Sequence, residues 1–127
     1  MSTKHAHEDL LVLTALIDDF READHLSPQR MSKRLHLPLV DFARLARLHR
    51  NTLSRPASPA VQARLEPIAR ILGQVEELTG DADQAIVWFR HQPLPGHDGR
   101  TAQDLVEAGN GDAVLAYLED LRDGAYA

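Results

Sequence analysis

The longest apolar seam in the chain decides most of what it can fold into. Between Ser58-Pro59 and Gly80, the residues Val61, Leu65, Ile68, Leu72 and Val75 recur at spacings of four, three, four and three, with Leu78 at the end. That recurrence marks one face of an α-helix, and a seam of this length needs another helix to cover it. Ser58 reads as the N-cap and Pro59 as the first helical residue, while Gly80 supplies the stop. Pro67 sits inside the pattern. It removes one backbone donor and crowds the carbonyl of Ala63, at a cost on the order of 3 kcal/mol in a straight helix. The sequence therefore predicts a kink or break near residues 63–67.

The remaining segments carry the same helical signal. Leu10, Leu13, Ile17 and Phe20 form a stripe over residues 8–23, widened by Leu11 and Leu16. Ser27-Pro28 opens a short helix through Met31 and Leu35, which Pro38 is expected to end. A pattern from Val40 through Leu48 follows, then a short run holding Leu53. Asp81 to about His91 reads as a helix with Ala85, Trp88 and Phe89 inward. "QPLPGHDGR" is loop. Thr101 and Asp104 resemble a capping box. The last helix spans Asp112 to Asp123, with Val114, Leu118 and Leu121 on one face and Gly124 as its cap. No alternating run reads as a strand. The expected fold class is all-α, a helical bundle in three parts: 1–26, 27–79 and 80–127.

Charge divides the chain more sharply than its total of −5 indicates. Residues 27–72 hold nine basic residues against two acids, a net of +7. The flanking segments 1–26 and 73–127 carry −4 and −8. Blocks of opposite sign imply different partners for different faces, and the basic block fits a polyanion. Cysteine is absent, so there is no disulfide framework or thiolate metal site. No apolar run reaches the ~18 residues of a membrane span. The acids flanking the N-terminal apolar run argue against a secretory leader. The expected location is cytoplasmic.

The centre of the basic block is "FARLARLHRNTLSR", residues 42–55. Ala43 is the small residue that lets two helices approach. Leu48 and Leu53 flank the turn as apolar plugs, and Thr52 precedes the second plug. The stretch resembles the Xre-type helix-turn-helix over about 15 residues. Arg47 stands where that motif has its turn glycine, so either a non-glycine residue takes φ > 0 at about 1 kcal/mol or the turn is built differently. The resemblance implies that the second helix enters the major groove of DNA. That nominates Arg50, Asn51, Thr52, Ser54 and Arg55 for the bases, with Arg44, Arg47, Lys33 and Arg34 serving phosphates.

Residues 85–127 present an ordered series: an Ala-x-x-Trp helix, a Pro/Gly loop, a short Asp-Leu helix, a glycine turn, a helix with Val114 and Leu118, and the tail "GAYA". This order resembles the toxin-binding domain of Xre/MbcA/ParS-type antitoxins. With the helix-turn-helix the resemblance covers most of residues 27–127. The chain departs from the family at Thr101-Ala102, where Thr-Pro is usual, and its preceding loop is longer and more charged. The resemblance implies an antitoxin that covers the NAD-binding cleft of a RES-domain toxin with its C-terminal end and represses its own operon. Arg122, Gly124, Ala125, Tyr126 and Ala127 are the nominated plug. An acidic segment complements a cleft built for phosphates. Implied partners are the RES-domain toxin and operator DNA, in a homodimer or a toxin–antitoxin hetero-oligomer. Residues 1–26 lie outside the resemblance, and their wide stripe fits either dimerisation or a cover over the core.

The competing reading is a stand-alone helix-turn-helix regulator whose C-terminal part serves dimerisation or protein interaction. The seven histidines supply no pair at i, i+4 on a clear helix and no three-ligand set. No phosphate-binding glycine loop, HExxH or nucleophile elbow is present. No catalytic role, cofactor or metal is assigned.

Overall fold

The computed structural model describes residues 14–124. The fold is all-α, with seven α-helices and one two-stranded ribbon among the described residues. The helices are α1 (Ala15–Phe20), α2 (Pro28–Arg34), α3 (Leu39–Leu45), α4 (Pro59–Thr79), α5 (Ala82–His91), α6 (Ala102–Glu107) and α7 (Gly111–Gly124). A 3₁₀ segment, Arg50–Ser54, lies between α3 and α4.

Local capping explains most boundaries. Ser27, Ser58 and Asp81 each accept a hydrogen bond from a backbone N–H three residues on, at Arg30, Val61 and Gln84. Thr101 and Asp104 form the reciprocal capping box. Each cap is worth roughly 1 kcal/mol. Gly80 closes α4 in the left-handed region at φ +74. Three helices end in the same way. Leu37, Leu48 and Asn110 donate to carbonyls five residues back, at Ser32, Ala43 and Leu105. His36, Arg47 and Gly109 donate to Lys33, Arg44 and Val106. This is the Schellman pattern, with His36 (φ +59), Arg47 (φ +60) and Gly109 (φ +86) at its left-handed position. α2 thus ends at Arg34, stopped by the left-handed His36 before Pro38 is reached.

α4 is the spine. α1, α5 and α7 pack on it, and α6 touches α3, α5 and α7. One apolar cluster runs from Leu16 through Phe42, Leu65, Leu72, Phe89 and Leu105 to Leu118. It crosses both expected boundaries, at 26/27 and 79/80. Gln62 on α4 fastens the ribbon. Its Oε1 accepts from Leu26 N–H at 3.0 Å, and its Nε2 donates to the carbonyls of Leu26 and Pro56, each at 2.8 Å.

The structure corrects four expectations. The first helix is not continuous over 8–23. Thr14 is extended and caps α1, accepting from Ile17 N–H, and α1 ends at Phe20. Residues 21–26 form an antiparallel ribbon, pairing Arg21 with Leu26 and Glu22 with His25 around Ala23 at φ +56. Such a two-residue pairing is too short to show alternation. The part of the N-terminal stripe before Thr14, with Leu10, Leu11 and Leu13, lies outside the described residues. α4 is uninterrupted across Pro67. Leu65, Ile68, Ala69 and Leu72 are fully buried around the proline, and burial of a large aliphatic side chain at about 1.5–3 kcal/mol outweighs one lost bond. Ala63, which loses its donor, is exposed. Finally, Leu121 is 43% exposed, although Val114 and Leu118 are buried as expected.

Candidate functional site

The basic edge is built by the α3 turn and the 3₁₀ segment. Phe42, Ala43 and Leu45 are buried, so the opposite side of α3 presents Arg44 to solvent. Arg47 takes a positive φ at this turn, so a non-glycine residue carries the strain of the left-handed backbone. Leu53 is the only buried residue of the 3₁₀ segment. Arg50, Asn51, Thr52 and Ser54 are exposed, as is Arg55 just after it.

The run expected as a second α-helix is only this single 3₁₀ turn. The hydroxyls of Thr52 and Ser54 donate to the carbonyls of His49 (2.6 Å) and Asn51 (2.9 Å). Such bonds to the carbonyl three residues back compete with α-helical pairing, and Pro56 prevents extension. The presented surface is therefore a compact tip. Among the described residues, Arg50 and Arg55 have no acidic partner within 4 Å, whereas Arg44 pairs with Asp41 at 3.4 Å.

Two nominated arginines are engaged elsewhere. Arg34 pairs with Asp19 at 3.1 Å and Asp83 at 3.3 Å, tying α2 to α1 and α5. Burial alone would lower its pKa, but the hydrogen bonds and charges of the two aspartates outweigh that and raise it above the usual arginine value. Its side chain is 29% exposed, and these pairs hold it against α1 and α5. Lys33 is exposed. Arg47 donates from Nη1 to the Glu107 carbonyl at 3.2 Å.

Of the C-terminal nominees, Arg122 and Gly124 are described, both on the last turns of α7. Arg122 pairs with Glu77 at 3.1 Å, which sets the end of α7 beside the end of α4. Gly124 is the last described residue of α7. Ala125, Tyr126 and Ala127 lie outside the described residues. Glu119, Asp120 and Asp123 are exposed on the same helix, so this end is acidic. The chain enters α4 at Pro59 soon after the basic tip, whereas Arg122 lies beside Glu77 near the other end of this helix, which is roughly 30 Å long.

Two clefts were not legible in the sequence. One, about 190 Å³, lies between the Arg47 turn, the first half of α4 and the α6–α7 turn, and includes Arg64, Pro67 and Asp112. The other, about 410 Å³, is formed by Thr79, Val87, Trp88 and His91 on the outer face of α5. Phe89 is buried as expected, while Trp88 is half-buried and lines this second cleft. Both clefts join residues from distant parts of the chain or from an otherwise ordinary helix face, so no local pattern announces them. Among the described residues no group of three His, Cys, Asp or Glu could hold a metal, and no helix is long and apolar enough to cross a membrane. Comparison of the chain with protein-family models, curated proteins and solved structures gives no match.

Proposed function

We propose that this protein is an antitoxin that binds a RES-domain, NAD-consuming toxin through its C-terminal end and represses its own operon through the basic segment Arg44–Arg55, in which a 3₁₀ segment stands in place of the second helix. One observation carries the reading: the exposed basic tip and the acidic end of α7 stand at opposite ends of α4. A phosphate backbone is drawn to the first, and a cleft shaped for a dinucleotide's phosphates to the second. The separation lets both partners bind at once. In the DNA role, Arg50 and Asn51 at the head of the 3₁₀ turn read base edges, and Arg44 and Arg55 hold phosphates. In the toxin role, residues 122–127 enter the cleft.

Co-expression with the RES-domain toxin tests the reading. Growth is expected to recover when this protein is present and to fail when residues 124–127 are deleted. No recovery with the full chain overturns the antitoxin role. A stand-alone regulator is the second reading, supported by Arg50 and Arg55, which among the described residues have no acidic partner within 4 Å. Promoter binding without rescue would select it.

A further inference from the structure

The smaller cleft gathers charge that the motif does not account for. Arg64 reaches it from α4 and Arg47 from the turn after α3. Arg64 is exposed, and among the described residues it has no acidic partner within 4 Å. Arg47 spends one donor on the Glu107 carbonyl, which leaves four of the five guanidinium N–H groups. That bond holds the side chain beside the α6–α7 turn, so less rotamer entropy is lost when an anion binds. Two arginines from different elements thus face one cleft of about 190 Å³.

The cleft also contains Asp112, which forms no ion pair within 4 Å with either arginine. The balance remains positive. The cleft lies at the same turn that leads into the 3₁₀ tip, three residues before Arg50. Building on the DNA-binding reading above, we propose that this cleft takes one backbone phosphate of the bound duplex between Arg47 and Arg64. The nucleic-acid surface then reaches beyond residues 42–55 to α4 and to the α6–α7 turn. The C-terminal half supplies one wall of it. A phosphate held here fixes the register of the tip on the duplex without contributing sequence preference.

Arg64→Gln tests this on the full chain, because Arg64 is exposed and its loss leaves the core intact. Binding of labelled promoter duplex and of a shuffled duplex is measured by fluorescence anisotropy across a salt series. The expected result is weaker binding to both duplexes alike, with the log–log salt slope reduced by about 1. Asp112→Asn is expected to strengthen both. Unchanged affinity and slope in Arg64→Gln, while Arg50→Ala weakens binding, overturns the cleft site and leaves the DNA reading standing. A titration with inorganic phosphate, read at the amide resonances of Gly109 and Gly111, separates the sources. Phosphate shifts that vanish in Arg64→Gln, in a protein that binds no duplex, overturn the DNA assignment and the duplex phosphate with it. Absence of those shifts together with absence of duplex binding overturns both.

Discussion

Arg47 lies over Gly109 and donates to the Glu107 carbonyl, joining two turns sixty residues apart. Both residues occupy the left-handed position of the same kind of helix stop. Their interlock is tight: a Cβ on Gly109 would sit 3.3 Å from Arg47 Nη1 and 3.4 Å from its Cζ. The left-handed backbone thus favours glycine at 109, and a Cβ there would also press on the guanidinium, which would have to give by a few tenths of an ångström.

Gly109→Ala is expected to destabilise by about 1–2 kcal/mol, from the positive φ and the displaced arginine. Arg47→Gly relieves its own backbone strain while losing the bond to Glu107, so its net effect is expected to be within about 1 kcal/mol of zero. In that background Gly109→Ala should cost less, because its crowding partner is gone. Urea denaturation of the four species gives the coupling. Equal costs in both backgrounds would show that the interlock has no energetic weight.

Gln62→Ala strands the N–H and C=O of Leu26 and the carbonyl of Pro56. An expected loss of about 2–3 kcal/mol follows from leaving such groups without partners. Gln62→Glu keeps the acceptor for Leu26 N–H but turns a carboxylate toward two carbonyls, so it should not rescue. Thermal melts decide this, and wild-type stability in Gln62→Glu would refute the clamp.

Arg34→Ala and Arg50→Ala/Asn51→Ala are expected to separate folding from recognition. The first breaks pairs with Asp19 and Asp83, both well exposed, at a solvent-screened cost of about 1 kcal/mol. Its salt slope for duplex binding should match wild type. The double variant alters only exposed side chains. It should melt like wild type while losing preference for promoter over shuffled duplex. A lowered salt slope in Arg34→Ala would return that arginine to the phosphate surface.

Arg122→Ala removes an ion pair between exposed partners, which is expected to change stability by less than about 0.5 kcal/mol. A clear loss of toxin neutralisation with an unchanged melt would therefore report a lost contact with the toxin. Full neutralisation by this variant would remove Arg122 from the plug.

The readable parts of this protein are those decided within one helical turn. Ser27, Ser58, Asp81 and Thr101 cap backbone donors three residues away, so the cap and its target appear together in the text. The seam from Val61 to Val75 is likewise a local pattern, and every one of its five residues is buried. The basic edge at Arg44–Arg55 was visible for the same reason, as a run of neighbours.

What eluded local reading was settled by partners far along the chain. Packing of Leu65 and Ile68 against other helices kept α4 unbroken at Pro67, whereas the loss of the expected second helix is local in cause, from Pro56 and the Thr52 and Ser54 hydroxyls. Arg34 became an internal tie because Asp19 and Asp83 converge on it, 15 and 49 residues away. Leu121 stayed exposed where its helix reaches the end of α4. The sequence by itself determined the helical class, the caps and the division of charge, because each depends on residue type at short spacing. Tertiary structure alone decided which arginines lack an acidic partner among the described residues and where two of them line one cleft. Those outcomes depend on which side chains are brought within hydrogen-bond reach, and that distance is set by the packed core.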